Sequence, residues 1–296
     1  MNAVEFNDVR YVYGEGTPFR KEALKGATFT VKKGTTTGII GHTGSGKSTV
    51  AQLMNGLLTK NSGEIKLFGE EIPTDAKALH KLRFRVGLVF QYPEYQLFEE
   101  TVFRDIAFGP KNMGLSEDEI RERTERAADL VGLDRALLNV SPFDLSGGQK
   151  RRAAIAGVIA MSPEILILDE PAAGLDPRGR EEILNRITEY RRKTGSTVIM
   201  ISHSMEDMAR YCDDVIVMSD GRAIIQGGVE KVFMNYDLII SAGLDVPQVT
   251  KLSSLLSQRG MIPPSVTDEE RAVFTVPGAE KLILKILSEK RSQTAE

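Results

Sequence analysis

Gly41-His42-Thr43-Gly44-Ser45-Gly46-Lys47-Ser48-Thr49 decides how this chain folds, because it satisfies Gly-x4-Gly-Lys-[Ser/Thr] in a strand-loop-helix setting. Before it lies Thr36-Thr37-Gly38-Ile39-Ile40, which reads as a buried strand. After it, Val50, Leu53, Met54 and Leu57 recur at helical spacing over Ser48 to Leu58, and Asn61-Ser62-Gly63 closes that helix. Gly41, Gly44 and Gly46, with Ser45 between them, let backbone N–H groups converge on phosphate oxygens, and the helix start adds its positive dipole end. Lys47 supplies a mobile charge for β and γ phosphates, Ser48 offers a hydroxyl to Mg²⁺, and Thr49 belongs to the same binding set. A glycine turn that only capped a helix would need neither the strand nor the lysine.

A second constellation supports the first. Ile165-Leu166-Ile167-Leu168-Asp169-Glu170 is an apolar strand ending in two carboxylates. Asp169 can reach Mg²⁺ through its water shell, and Glu170 can polarise an attacking water. Carboxylates after a strand are commonplace near helix starts, so the pair gains its meaning from the Lys47 loop.

Composition narrows the class. The chain has 296 residues, with 38 Lys+Arg against 41 Asp+Glu and a net charge of −3. Its mean hydropathy is −0.18 and its pI about 5.8. That length allows one large or two modest domains with a sizeable core. The near-neutral balance provides no overall field for nucleic acid or an anionic membrane, so phosphate binding must be local. One cysteine, Cys212, cannot form an internal disulfide, which points to a reducing compartment. Met1 to Arg10 is polar, unlike a secretory leader, and the apolar stretch Ala153 to Met161 is about half of a spanning helix.

Elsewhere, Val4 to Tyr13 and Ala27 to Val31 alternate as antiparallel strands around a Gly14 to Pro18 loop, with further strands at Glu64 to Phe68 and Val86 to Phe90. Ser116 to Val140 reads as charged and helical, capped by Ser116 with acidic residues in its first turn. Ile165 to Leu168 and Val198 to Ile201 read as buried strands of a mainly parallel sheet, each set apart by a helix. The tail from Val229 holds a Pro263-Pro264 break and two helical stretches, Gln248 to Gln258 and Gly278 to Lys290, with Ser292 to Glu296 as a frayed end. The fold class is therefore α/β.

Leu145-Ser146-Gly147-Gly148-Gln149-Lys150 narrows a phosphate-binding loop further. Ser146 and its glycines can open a helix facing a phosphate, a site without use in a chain that already has one such loop. With this signature between Lys47 and Asp169, the sequence resembles an ATP-binding cassette (ABC) ATPase. The resemblance implies a P-loop cassette with a parallel core sheet, an antiparallel β subdomain and a helical subdomain. It also implies that two cassettes pair head to tail, so that Ser146, Gly147, Gly148 and Gln149 close over the nucleotide of the other chain. By the same resemblance, Gln91 is similar to the glutamine that contacts Mg²⁺ and the attacking water. Ala173-Gly174-Leu175-Asp176 matches the loop whose Asp176 touches the opposite cassette, with Gly174 in place of the commoner alanine. His203 looks like the histidine that holds the γ-phosphate. In that family an aromatic upstream stacks on adenine; Tyr13 is the better candidate and Tyr11 the alternative, both on one face of an alternating strand. His80 and His42 receive no catalytic role.

The stretch Gln91 to Val102, with Asp105 to Pro110, Ser141 to Asp144, Arg151 to Gly157 and Ala172 to Arg180, resembles the ATPases of energy-coupling factor (ECF) transporters. It is most similar to the second of their two paralogous ATPases. That implies ATP hydrolysis powering vitamin or micronutrient import, or cobalt and nickel uptake in related systems, from the cytoplasmic face of the membrane. Implied partners are a second ABC ATPase, as a paralogue heterodimer or a homodimer, an integral membrane coupling subunit and a substrate-binding membrane subunit, with no nucleic acid. By the same resemblance the cassette spans 1-230 and a C-terminal accessory region that helps the two ATPases dimerise spans 231-296, where Leu252, Leu255, Leu256, Leu282, Ile283, Ile286 and Leu287 fit helices that need a surface to bury or that pack only on their own domain. Tyr95, Leu97, Phe98 and Phe103 would line a groove for a partner's helix or pack in the core. A DNA-repair or translation ABC ATPase would need a coiled-coil insertion or a second cassette, whereas about 98 residues separate Lys47 from Leu145. A P-loop kinase has no use for the signature.

Overall fold

Parallel strands dominate the larger of two sheets. A computed structural model describes residues 1–294 of the chain, and Ala295 and Glu296, the tip of the expected frayed end, lie outside the described residues. In the six-stranded sheet the order is β10 (Arg222–Gly228), β9 (Asp214–Ser219), β3 (Thr36–Ile40), β8 (Thr197–Ile201), β7 (Ile165–Asp169) and β6 (Val86–Val89). Strands β9, β3, β8, β7 and β6 run parallel, and only β10 is antiparallel to its neighbour. The four-stranded antiparallel sheet has the order β2 (Lys21–Lys32), β1 (Asn2–Tyr13), β4 (Ser62–Leu67) and β5 (Glu70–Glu71).

The larger sheet is apolar on both faces, and its side chains sort by the two-residue period of a strand. Ile39, Ile165, Ile167, Ile199, Ile201 and Ile216 face the antiparallel sheet across helix α1 (Lys47–Met54), whose Val50, Leu53 and Met54 fill the space between the sheets. Ile40, Leu166, Leu168, Val198, Met200 and Val217 face the opposite layer. That layer is built from α3 (Val102–Asn112), α4 (Glu117–Val131), α5 (Gly147–Ile159), α6 (Pro177–Thr194) and α7 (Met205–Tyr211). A short α2 (Ala76–Arg85) leads into β6.

Several boundaries differ from the sequence reading, for local reasons. Helix α1 stops at Met54 rather than Leu58: Gly56 takes a φ of +70° and the Asn55 side chain is held by the Val86 carbonyl, leaving Leu57 exposed. Ser116 caps α4 as expected, here in a capping box with Glu119, but α4 ends where Gly132 adopts a left-handed conformation, well before Val140. Strand β4 stops at Leu67 because Phe68 turns to a φ of +52°. The second tail helix begins two residues earlier than expected, at Val276.

Beyond β10, α8 (Val229–Phe233), α9 (Tyr236–Ser241), α10 (Gln248–Gln258), α11 (Asp268–Arg271) and α12 (Val276–Thr294) follow. Phe233, Ile239 and Val246 are buried in the core of the helical layer. A separate cluster of Ile262, Val266, Val273, Ala279, Leu282 and Ile286 binds α10 to α12, with Val249 and Leu256 packed on it. Of the other apolar tail positions, Leu252, Leu255, Ile283 and Leu287 remain exposed.

Packing is tight where β3 ends. A methyl group on Gly41 would sit 2.4 Å from the Met218 carbonyl oxygen and 2.3 Å from Ser45 Oγ. Backbone from β9 leaves no room to yield, so Gly41→Ala should cost about 1–3 kcal/mol of stability. A urea unfolding midpoint unchanged from the parent would contradict this packing.

Candidate active site

In parallel sheets, ligands bind beyond the carboxyl ends of the strands, where loops and helix starts converge. Here β3, β8, β7 and β6 lie side by side, so the segments that follow them share one edge. One cleft of about 420 Å³ at that edge is lined by Tyr13, Gly44, Gly46, Lys47, Ser48, Thr49, Gln91, Asp169, Glu170 and His203, together with Lys21, Ala23 and Thr43. Gly41 and Ser45 lie beneath it, with Ser45 fully buried. Gly46, at a φ of +105°, turns the chain into α1 as only glycine does readily. A side chain there would also strike Leu24 and the Ala23 carbonyl.

Lys47 is buried, and its Nζ donates to the carbonyl of Gly41 at 2.6 Å and to that of His42 at 3.0 Å. Burial lowers its pKa, opposed by the charges of Asp169 and Glu170. Ser48 Oγ donates to Asp169 Oδ2 at 3.1 Å. Burial raises the Asp169 pKa, against the pull of that hydroxyl and of Lys47 and His203. Hydroxyl, carboxylate and the Gln91 amide are hard oxygen donors of the kind Mg²⁺ accepts. Among the described residues no three His, Cys, Asp or Glu side chains cluster as a metal cage, so phosphate and water oxygens would have to complete the shell.

Glu170 stands just past β7 with a φ of +52°, a strained value for a side chain with a Cβ. Its N–H donates to the Ile201 carbonyl at 2.8 Å, which fixes the turn to β8. Ser202 Oγ donates to Glu170 Oε2 at 3.2 Å. Oε1 is buried without a hydrogen-bond partner and lies 3.5 Å from His203 Nε2. Burial raises the Glu170 pKa; His203 and Ser202 oppose the shift and Asp169 adds to it. One carboxylate oxygen is thus anchored by a hydroxyl, and the other, beside His203, accepts no hydrogen bond.

Tyr13 and Tyr11 part company. A register shift in β1 falls between Tyr11 and Val12; Tyr11 packs on the core, whereas Tyr13 lines the cleft and shares a 3.2 Å hydrogen bond with Thr49 Oγ1. The rings meet edge to face at 4.8 Å. Lys21, directly opposite Tyr13 in the β1-β2 pairing, was not singled out in the sequence, and neither was Ser202. Only the strand pairing and the turn after β8 bring them in.

Ser146, Gly147, Gly148, Gln149 and Asp176 do not line this cleft. Ser146 caps α5 in a capping box with Gln149. Gly148 and Asp176 flank a second hollow of about 250 Å³ with Arg151, Arg152, Gly174 and Leu175. Asp176 caps α6, accepting from the Gly179 N–H at 2.7 Å, and Gly174 takes a φ of +74°, which accounts for glycine there. A methyl group on Gly147 or Gly148 would meet nothing within 4 Å. The chain's own packing therefore does not demand these two glycines.

A model of the family described as ABC transporter matches residues 24–173. The chain is 52% identical over 270 residues to the energy-coupling factor transporter ATP-binding protein EcfA2 of Caldanaerobacter subterraneus subsp. tengcongensis, covering 91% of this chain and 94% of that protein. It is 48% identical over 285 residues to the protein of the same name from Clostridium acetobutylicum, covering 96% and 98%. Among solved structures, cbiO1 of Clostridium perfringens, described as part of the ABC transporter complex cbiONQ, is similar with a TM-score of 0.73 and 40% identity over 86% of this chain and 99% of that one. A dimeric ATP-binding cassette, MJ0796, bound to ADP and Pi in a post-hydrolysis state, has a TM-score of 0.68 and 27% identity over 76% and 98%. This chain belongs to the ABC transporter family, among the ATP-binding proteins of energy-coupling factor transporters.

Two outcomes follow from this geometry. Glu170→Gln removes a desolvated charge and leaves the backbone strain in place, and should raise the melting temperature of the protein without nucleotide by about 2–4 °C, which corresponds to about 1 kcal/mol. A lower melting temperature would show that the charge is well compensated. Gly148→Ala should leave folding intact or stabilise α5 by up to about 1 kcal/mol, as read by thermal unfolding.

Proposed function

We propose that this chain is the ATP-hydrolysing subunit of an ECF-type importer, acting in a nucleotide-sandwich dimer. The observation that carries the reading is the convergence of Lys47, Ser48, Asp169, Glu170 and His203 on one cleft, with the signature outside it. ATP enters with its β and γ phosphates on Lys47 and the amides around Gly44 to Ser48, and with adenine against Tyr13. As phosphate oxygens arrive, Lys47 exchanges its carbonyl partners for them. Ser48, Asp169 and Gln91 would hold Mg²⁺, which when bound offsets phosphate charge and polarises the γ-phosphorus. Glu170 takes the proton of the attacking water on Oε1, and Ser202 keeps the carboxylate oriented. His203 fixes the γ-phosphate from the other side.

The second half of each site comes from the partner ATPase. Ser146, Gly147, Gly148 and Gln149, at the start of α5, present N–H groups and a positive helix end to the partner's γ-phosphate. The bare surroundings of Gly147 and Gly148 support this: glycines that nothing in the chain requires suit close approach from outside. Asp176, beside the same hollow, faces the opposite cassette. Residues 1-230 form the cassette and 231-296 the accessory dimerisation region, anchored by Phe233, Ile239 and Val246 and leaving Leu252, Leu255, Ile283 and Leu287 outward. No described helix is long and apolar enough to cross a membrane. In keeping with the ECF relatives, the subunit works peripherally, on the cytoplasmic face, through an integral coupling subunit and a membrane subunit that binds the micronutrient.

Glu170→Gln tests the reading. Phosphate release should fall at least about 100-fold, the scale of a lost general base, while ATP stays bound and the ATPase dimer stays closed on size-exclusion chromatography. Unchanged turnover would remove Glu170 from the chemistry. The pH dependence has a definite sign: the base must be ionised and its pKa is raised above the ordinary 4.5 by burial, so turnover should decline on acidification from a pH above that value.

A further inference from the structure

Among the described residues Arg151 is the buried arginine, with a side chain 4% exposed; the other arginines in described ion pairs keep 24% or more. It sits on α5, one turn past the Ser146 cap. Its Nε and Nη2 donate to Glu94 Oε2 at 3.1 Å and Oε1 at 2.8 Å, a two-pronged pair. Its Nη1 donates to the carbonyls of Pro171, at 3.5 Å, and of Ala173. One guanidinium thus joins three segments: the turn after Gln91, the signature helix and the loop after Glu170.

Each connection bears on the chemistry. Pro93–Gln96 is a single 3₁₀ turn that begins two residues past Gln91, with Pro93 buried, Glu94 turned inward and Tyr95 84% exposed. On the other side, the Ala173 N–H donates to the Glu170 carbonyl at 3.1 Å, closing the turn that holds Glu170 in its left-handed conformation. Arg151 does not line the nucleotide cleft. A guanidinium is planar and keeps its charge, so a shift of Glu94 must be followed by the fork and passed to the carbonyls on its other edge.

We infer that Arg151 is a positioning residue that transmits displacement of the 93–96 turn to the loop carrying Glu170, so that a membrane subunit pressing on the exposed aromatic side of that turn sets the alignment of the base. This rests on the reading of Glu170 as the group that activates water.

The test uses the intact transporter complex, with its second ATPase and membrane subunits, and two variants, Glu94→Gln and Arg151→Lys. Each breaks the two-pronged pair with little change of volume. Steady-state kcat for ATP should drop roughly 3- to 30-fold in both, the range for residues in a coupling network, while KM and ATP binding of Glu94→Gln stay within about twofold because Glu94 lines neither the cleft nor the hollow beside the signature. Unchanged kcat in both variants, or kcat and ATP affinity falling together in Glu94→Gln, would overturn the proposal. Failure of both variants to assemble would assign the pair to folding and also overturn it; if only Arg151→Lys fails, Glu94→Gln decides. A parent complex without ATPase activity would instead sink the underlying functional reading.

Discussion

The site depends on the parallel pairing of β3, β8 and β7. Thr36 to Ile39 pairs with Val198 to Ile201, and Ile165 to Asp169 with Thr197 to Ile201, so three strand ends arrive at one level. A slip of one residue in any of them would exchange its inward and outward side chains, and both faces are buried. Register is thereby tied to burial of the Ile and Val side chains, each contributing about 1.5–3 kcal/mol. The phosphate loop, the two carboxylates and His203 are carried to the same edge as a consequence of core packing.

That edge concentrates groups that are costly to bury. Lys47 is kept in place by two carbonyls, while Asp169 and Glu170 are driven toward their neutral forms by desolvation. Glu170 adds backbone strain, at about 1–3 kcal/mol for such a conformation. None of this favours the nucleotide-free fold. A polyphosphate in the cleft would offset these costs, because Lys47 would then have anions to replace carbonyls.

A chain with one phosphate loop and one signature, set on different hollows, is half of two sites. The signature helix is locally complete, with Ser146 and Gln149 capping each other, yet Gly147 and Gly148 stand in open space. Arg151 ties this helix to the loop after Glu170 and to the turn after Gln91 of its own chain. The tail shows the same incompleteness in apolar form: α10 and α12 bury Leu256, Leu282 and Ile286 against each other and leave Leu252, Leu255, Ile283 and Leu287 outward.

Much of this was legible in the residues. The loop from Gly41 to Thr49, the buried strands from Thr36, Ile165 and Val198, the Ser116 and Ser146 caps and the helix Gln248–Gln258 are written in short-range patterns, because strand alternation, capping and glycine turns act over a few residues. Helix α1 was misjudged at its end, since the Asn55 side chain is claimed by a carbonyl on β6 that no local pattern announces. The sequence favours Tyr13 over Tyr11 and the bulge in β1 brings only Tyr13 to the cleft, while Lys21 and Ser202 enter only through strand pairing and the turn after β8. The sequence by itself determined the chemistry available, a phosphate loop, two carboxylates and a signature, because those depend on residue type and spacing. Which oxygen of Glu170 is bare, which tyrosine meets the cleft and what Arg151 holds together were decided by tertiary structure, because contacts between residues far apart in the chain depend on packing, not on local pattern.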